Sequence, residues 1–226
     1  MKNDGIHDYT HLASDYDDKR YTTDEQKYLD SLRYRTMNTL LNPNKEMSII
    51  DVGTGTGSGI IFFAKSVKNI VGLDGTEAML NHARVKAQME GITNVEFLHA
   101  NALSIPFEND TFDNVISLNF IHLFATYSVK KQMEFISEMA RICKKGGYVI
   151  VEFDNIMYLK ELGNRYRDLF SMAENLRVEK IVGTYFPKTV PVFKCSRQIA
   201  NLYSSIAGLP FAKRFAYRWV VKYKKI

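Results

Sequence analysis

Several features are scarce or missing in these 226 residues. There are two cysteines, Cys143 and Cys195, far apart in the chain. That spacing supplies neither a disulfide framework nor a zinc site, and it fits a reducing compartment. No long hydrophobic run is present. The longest uncharged stretch, residues 114–129, holds two asparagines and a histidine. It is too short and too polar to span a bilayer. The opening "MKNDGIHDYTHLASDYDDKRY" is polar and acidic, unlike a secretory leader, so a cytoplasmic location is expected. Internal repeats and low-complexity segments are missing. So is a strong excess of one charge. The formal net charge is +5, a weak pull toward anionic partners. No cluster of carboxylates stands out, and no metal is assigned. What is present is a 46% hydrophobic composition, enough for one sizeable core in one domain with appendages.

Along the chain the pattern changes twice. Residues 1–45 carry helical spacing with many tyrosines. In "DEQKYLDSLRYRTMNTLLN", Leu29, Leu32, Met37 and Leu40 share a face, and Asn42-Pro43-Asn44 ends the helix. Residues 46–153 then alternate short apolar runs with amphipathic ones. Strands are expected at "MSIIDV", "NIVGLD", "VEFLHA", "FDNVISLNF" and "YVIVEF". Helices are expected over residues 58–68, 76–91 and 129–147, the second capped by Thr76 and stopped by Gly91. Strands alternating with helices imply a doubly wound, mostly parallel sheet with helices on both faces. In residues 154–226 the pattern loosens. Helices are expected over 164–176 and 196–208, and strands over 178–186 and 214–226, bringing the sheet to seven strands.

The first strand runs straight into "DVGTGTGSG". Glycines at alternate positions weaken the first turn of the following helix, by about 1 kcal/mol each relative to alanine. A ligand held against bare backbone at the helix N-terminus offsets that cost. In such sheets ligands sit at the carboxyl ends of the strands, where the strand order reverses. A phosphate-binding loop requires Gly-Lys-Ser/Thr at its end, and no glycine here is followed by it. A dinucleotide loop requires a third small residue, but the three possible registers supply Ser58, Ile60 and Phe62. What remains is Asp51, Gly53, Gly55 and Gly57, an acid before three alternating glycines.

This run resembles motif I of the class I S-adenosylmethionine-dependent methyltransferases. The resemblance implies a Rossmann-like methyltransferase fold and S-adenosyl-L-methionine as cofactor. That cofactor is cationic at its ammonium and its sulfonium. Asp51 would stabilise the amino-acid end, and Gly53, Thr54, Gly55 and Gly57 would underlie the methionyl and ribose parts. "IVGLDGTEAML" matches the family at Gly72, Asp74, Thr76, Met79 and Leu80. Asp74 lies 17 positions after Gly57 and would accept from the ribose hydroxyls. Gly75 and Met79 would border the adenine and ribose. "VEFLHANALSIPFENDTFDNVIS" resembles a third family segment. Asn101 stands where an aspartate is frequent and would accept from the adenine amine as a weaker, neutral acceptor. Ala102 would offer its N–H to the ring, with Leu103 beside it. In "RICKKGGYVIVEF", Gly146 and Gly147 would make the turn into the fifth strand. The matches cover residues 47–153.

The resemblance further implies a small-molecule acceptor, methylated at oxygen or nitrogen by in-line displacement. Asn119 would sit where the methyl group enters the acceptor pocket. His122 is the candidate base for an acceptor hydroxyl; the alternative is a histidine packed in an aromatic wall. A tyrosine of the N-terminal lid would close over the cofactor: Tyr16, with Tyr9 and Tyr21 as rivals. Aromatic residues in 154–226, which would form a cap and the last strands, suit an apolar pocket or a core equally. An RNA or DNA methyltransferase is the first rival, favoured by "KRFAYRWVVKYKKI". Against it, "SLNF" follows the fourth strand where amino-methylating nucleic-acid enzymes have Pro-Pro-Tyr. A cofactor-binding subunit without activity is the second rival.

Overall fold

The computed structural model describes residues 9–20, 22–125, 129–155, 172–185 and 218–226, with isolated positions at 168, 170 and 216. Two short helices come first, α1 (Thr10–Ala13) and α2 (Tyr16–Arg20). The long α3 (Asp24–Leu41) follows. Then come β1 (Ser48–Val52), α4 (Ser58–Ala64), β2 (Asn69–Asp74), α5 (Glu77–Met89), β3 (Val95–His99) and β4 (Phe112–Ser117). The chain continues through α6 (His122–Ala125), α7 (Val129–Ile142), β5 (Cys143–Asp154), β6 (Leu176–Tyr185) and β7 (Arg218–Lys225).

Local chemistry sets the ends of α3. The Thr23 side chain accepts from the Gln26 amide, and the Gln26 side chain returns a bond to the Thr23 amide. This reciprocal pair satisfies two otherwise orphaned donors. At the other end Asn42 turns left-handed, and Pro43 cannot continue the helix.

The seven strands form one sheet in the order β3-β2-β1-β4-β5-β7-β6. Pairing is parallel from β3 through β5. β7 runs antiparallel to both its neighbours. β1 is buried at Ile49, Ile50 and Val52, as a strand covered on both faces must be. On one face Phe135, Ile136 and Met139 of α7 meet Val149, Val151, Trp219 and Tyr223. On the other, Met37, Leu40 and Leu41 of α3 and Ile60 and Phe63 of α4 meet Ile49, Ile150 and Val220. The order of pairing reverses between β1 and β4, which opens a crevice beyond their carboxyl ends.

Three expected helices differ from those observed; the one over 58–68 ends at Ala64. The one over 129–147 stops at Ile142, because other elements take its last carbonyls. Asp110 and Thr111 donate to Arg141 and Ile142, and Lys225 Nζ reaches the carbonyls of Arg141 and Cys143. Gly146 and Gly147 fall in an irregularity of β5, between the pairs Phe112–Cys143 and Asn114–Tyr148. The helix over 164–176 does not extend through residues 172–175, which bend and turn into β6. The helix over 196–208 lies outside the described residues.

Phe135 is fully buried at the centre of the larger cluster. Phe135→Ala is expected to lower the unfolding free energy by about 3–5 kcal/mol in urea titration.

Candidate active site

The crevice is built by the two turns that leave β1 and β2. The amides of Gly53 and Thr54 both donate to the carbonyl of Leu73, at 2.8 and 3.0 Å, lacing the first turn to the end of β2. Gly53 has φ +81°, and a Cβ there would fall 2.2 Å from the Phe120 ring. The turn therefore admits glycine alone, and Phe120 lies directly on its backbone. Gly57 has φ +79° and caps α4; a Cβ would fall 2.7 Å from that of Ala83. Its bareness serves the approach of α4 to α5.

Asp74, at the end of β2, joins the two turns. Its Oδ2 accepts from Gly55 N at 2.8 Å, and its Oδ1 accepts from Thr76 N at 2.9 Å. Burial pushes its carboxyl above the ordinary carboxylate range, against the pull of these amides. Thr76 caps α5 by position only. Its hydroxyl makes no capping bond and instead accepts from Tyr9 N at 3.3 Å.

Asp51 sits one turn earlier on β1. Its Oδ2 accepts from Thr54 Oγ1 at 3.0 Å, while its Oδ1 is buried without a partner. Burial raises its carboxyl to about 7, the charge of Asp74 pushes the same way, and the Thr54 bond opposes both.

A cleft of about 740 Å³, open mouth included, lies over these turns. Ten of the residues singled out in the sequence line it: Tyr16, Gly53, Gly55, Asp74, Gly75, Met79, Asn101, Ala102, Asn119 and His122. Asp51 and Thr54 line a second hollow that shares Tyr16, Gly53, Gly55 and Asn119 with the first. Gly57 and Leu103 line neither. Leu103 instead donates its N–H to Asn101 Oδ1 at 2.9 Å, so that oxygen already has one donor.

Among the neighbours that sequence reasoning missed, Phe120 and Leu123 complete the cleft; Tyr9, named as a rival of Tyr16, lines it together with that residue. Tyr21 lies outside the described residues. The segment carrying Tyr9 and Tyr16 is fastened at its far end. Thr56 Oγ1 donates to Asp17 Oδ1 at 2.7 Å, and Lys86 forms an ion pair with Asp17. Asn119 leaves β4 with φ +53°. Its N–H donates to Glu152 Oε2 at 3.0 Å, and its Oδ1 accepts from Arg218 at 2.6 Å. An acid inside the apolar run "YVIVEF" was the one available signal for Glu152. Nothing local pairs Arg218 or Asp17 with the site. Among the described residues no group of His, Cys, Asp and Glu is placed to hold a metal. None of their helices is long and apolar enough to cross a membrane.

Residues 49–147 match the methyltransferase domain family. Over that span the chain carries a methyltransferase domain, similar to those of the class I S-adenosylmethionine-dependent methyltransferases, and the strand order and site geometry agree with that likeness. It is 31% identical over 145 residues to a demethylmenaquinone methyltransferase of Lactococcus lactis, covering 63% of this chain and 55% of that protein. It is 33% identical over 153 residues to the protein of the same name from Bacillus cereus, covering 66% and 62%. The chain thus spans little more than half the length of these curated relatives. Its fold is similar to that of an S-adenosylmethionine-dependent methyltransferase from Aquifex aeolicus, with a TM-score of 0.62 and 18% identity. That likeness covers 85% of this chain and 89% of the other. The cofactor of this methyltransferase family is S-adenosyl-L-methionine, and the site suits it. A buried carboxylate oxygen without a partner is a costly group that a cation satisfies.

The raised carboxyl of Asp51 sets a pH dependence. Its protonated form favours the ligand-free fold fully below about 3.8, and this contribution is lost as pH rises through about 7. Asp51→Asn removes it. Chemical denaturation of both proteins from pH 4 to 8 is expected to show the wild type losing ground to the variant, by at most roughly 4 kcal/mol.

Proposed function

We propose that this methyltransferase moves the methyl group of S-adenosylmethionine onto an oxygen or nitrogen atom of a small-molecule acceptor held in the main cleft. One observation carries the reading. The glycine turn and the buried carboxylate of Asp74 meet at one cleft, which Asn119, Phe120, His122 and Leu123 also line. The turns offer bare backbone and a carboxylate to a nucleoside, and Phe120 and Leu123 offer apolar surface to an acceptor.

The bound cofactor supplies a methyl group already activated on a sulfonium. The residues then have separate tasks. Asp74 accepts from the ribose hydroxyls, and Asp51 faces the ammonium. Gly75, Met79, Asn101 and Ala102 enclose the adenine. Residues 1–45 act as a lid, with Tyr16 and Tyr9 excluding water from above; of residues 154–226, β6 and β7 complete the sheet of the same domain, and the expected cap lies outside the described residues. Alignment of this kind supplies several kcal/mol of the barrier. His122 receives the proton when the acceptor is a hydroxyl. The curated relatives, named for demethylmenaquinone, support a small apolar acceptor. Against a nucleic-acid acceptor stands the lining of the cleft, which among the described residues carries Asp74 and no lysine or arginine.

Calorimetry with S-adenosylhomocysteine tests the cofactor site. Asp74→Ala is expected to weaken binding at least about tenfold, since it removes hydrogen bonds to a charged group. Unchanged affinity would refute the role. For His122→Gln, turnover of a phenol that the wild type methylates at oxygen is expected to fall by about 10²–10⁴ with cofactor affinity kept. Turnover within a few-fold of wild type would leave the histidine as wall only.

A further inference from the structure

Behind the cleft lies a lattice of buried charges that the reading above does not use. Arg33 of α3 donates through Nε to both oxygens of Glu152, at 3.0 and 2.9 Å, and also pairs with Asp30. Arg218 of β7 reaches Glu152 at 3.3 Å and Asp154 at 2.5 Å. Arg33, Glu152 and Asp154 are each 4% exposed or less. Buried arrays of this kind contribute little net stability, because desolvation offsets their attraction. Their value lies in fixing one arrangement, and here they fix a single residue. Glu152 takes the backbone N–H of Asn119, and Arg218 takes its side-chain oxygen.

Arginine carries donors only. The Asn119 atom facing Arg218 at 2.6 Å is therefore the carbonyl oxygen. The amide nitrogen, with its two N–H groups, is left for the other side. Asn119 lines both hollows, at their junction. Asp51, one of whose oxygens is buried without a partner, lines the second hollow as well. An amide donor pair and a carboxyl group in one hollow complement an α-amino-acid zwitterion.

We propose that Arg218 is a positioning residue: by holding the oxygen of Asn119 it aims the amide N–H groups at the second hollow, where they receive the carboxylate of the cofactor's amino-acid end. The proposal rests on the cofactor reading above. Without Arg218 the amide turns freely, and half its orientations present an oxygen to that carboxylate.

Two ligands separate this role from simple support of the fold. S-adenosylhomocysteine carries the amino-acid end, and 5′-deoxy-5′-methylthioadenosine lacks it. By calorimetry, Arg218→Met is expected to weaken the first about tenfold or more, the scale of one charged hydrogen bond, and the second by no more than about threefold. In Asn119→Ala the loss for S-adenosylhomocysteine is expected to match, and adding Arg218→Met to be nearly silent. Arg218→Lys keeps the charge for Glu152 and Asp154 and serves if the methionine variant does not fold; the same selective loss is expected, in smaller degree. Equal weakening of both ligands, or of neither, overturns the proposal while leaving the cofactor reading intact. Binding of neither ligand to the wild type overturns both.

Discussion

A single carboxylate holds the cleft end of this sheet together. Asp74 accepts one amide from the turn after β1 and another from the turn after β2. Those turns belong to neighbouring parallel strands. Removing a buried charge from water is costly, and the two amides repay part of that cost only when both turns adopt the observed path. The carboxylate thus selects a conformation in which glycine backbone faces the cleft. Leu73 adds to the constraint by accepting from both Gly53 and Thr54.

The second constraint comes from the other side of the switch point. Asn119 leaves β4 in a left-handed conformation, uncommon for a residue with a side chain. Glu152 and Arg218 hold its backbone and its amide. One wall of the site is therefore set by hydrogen bonds to backbone amides, the other by buried ion pairs between α3, β5 and β7. The nucleoside side is local to two turns. The side built on Asn119 depends on elements far apart in sequence.

That difference explains what could be read in advance. The alternation of apolar runs and amphipathic segments gave each strand of the sheet to within a few residues, because strands buried on both faces must be apolar throughout. The glycine turn and Asp74 were legible from their spacing at two strand ends; Gly75, Met79, Asn101 and Ala102 came from the family resemblance, and all four line the cleft. Gly57 was legible as glycine, yet its neighbour is Ala83 of α5. The end of α7 was misplaced, because Lys225, more than eighty residues away, takes its terminal carbonyls.

The sequence alone determined the order of the elements, the parallel sheet and the side of it on which a ligand lies. Those follow from hydrophobic period and from glycine in one turn, both local properties of the chain. Tertiary structure alone decided that Phe120 lies on Gly53, that Tyr9 and Tyr16 line the cleft together, and that Asp51 keeps one oxygen unpaired. It alone brought Arg218 to Asn119, ninety-nine residues away. Such pairings depend on how strands are ordered across a sheet, and strand order leaves no mark on the residues that later meet.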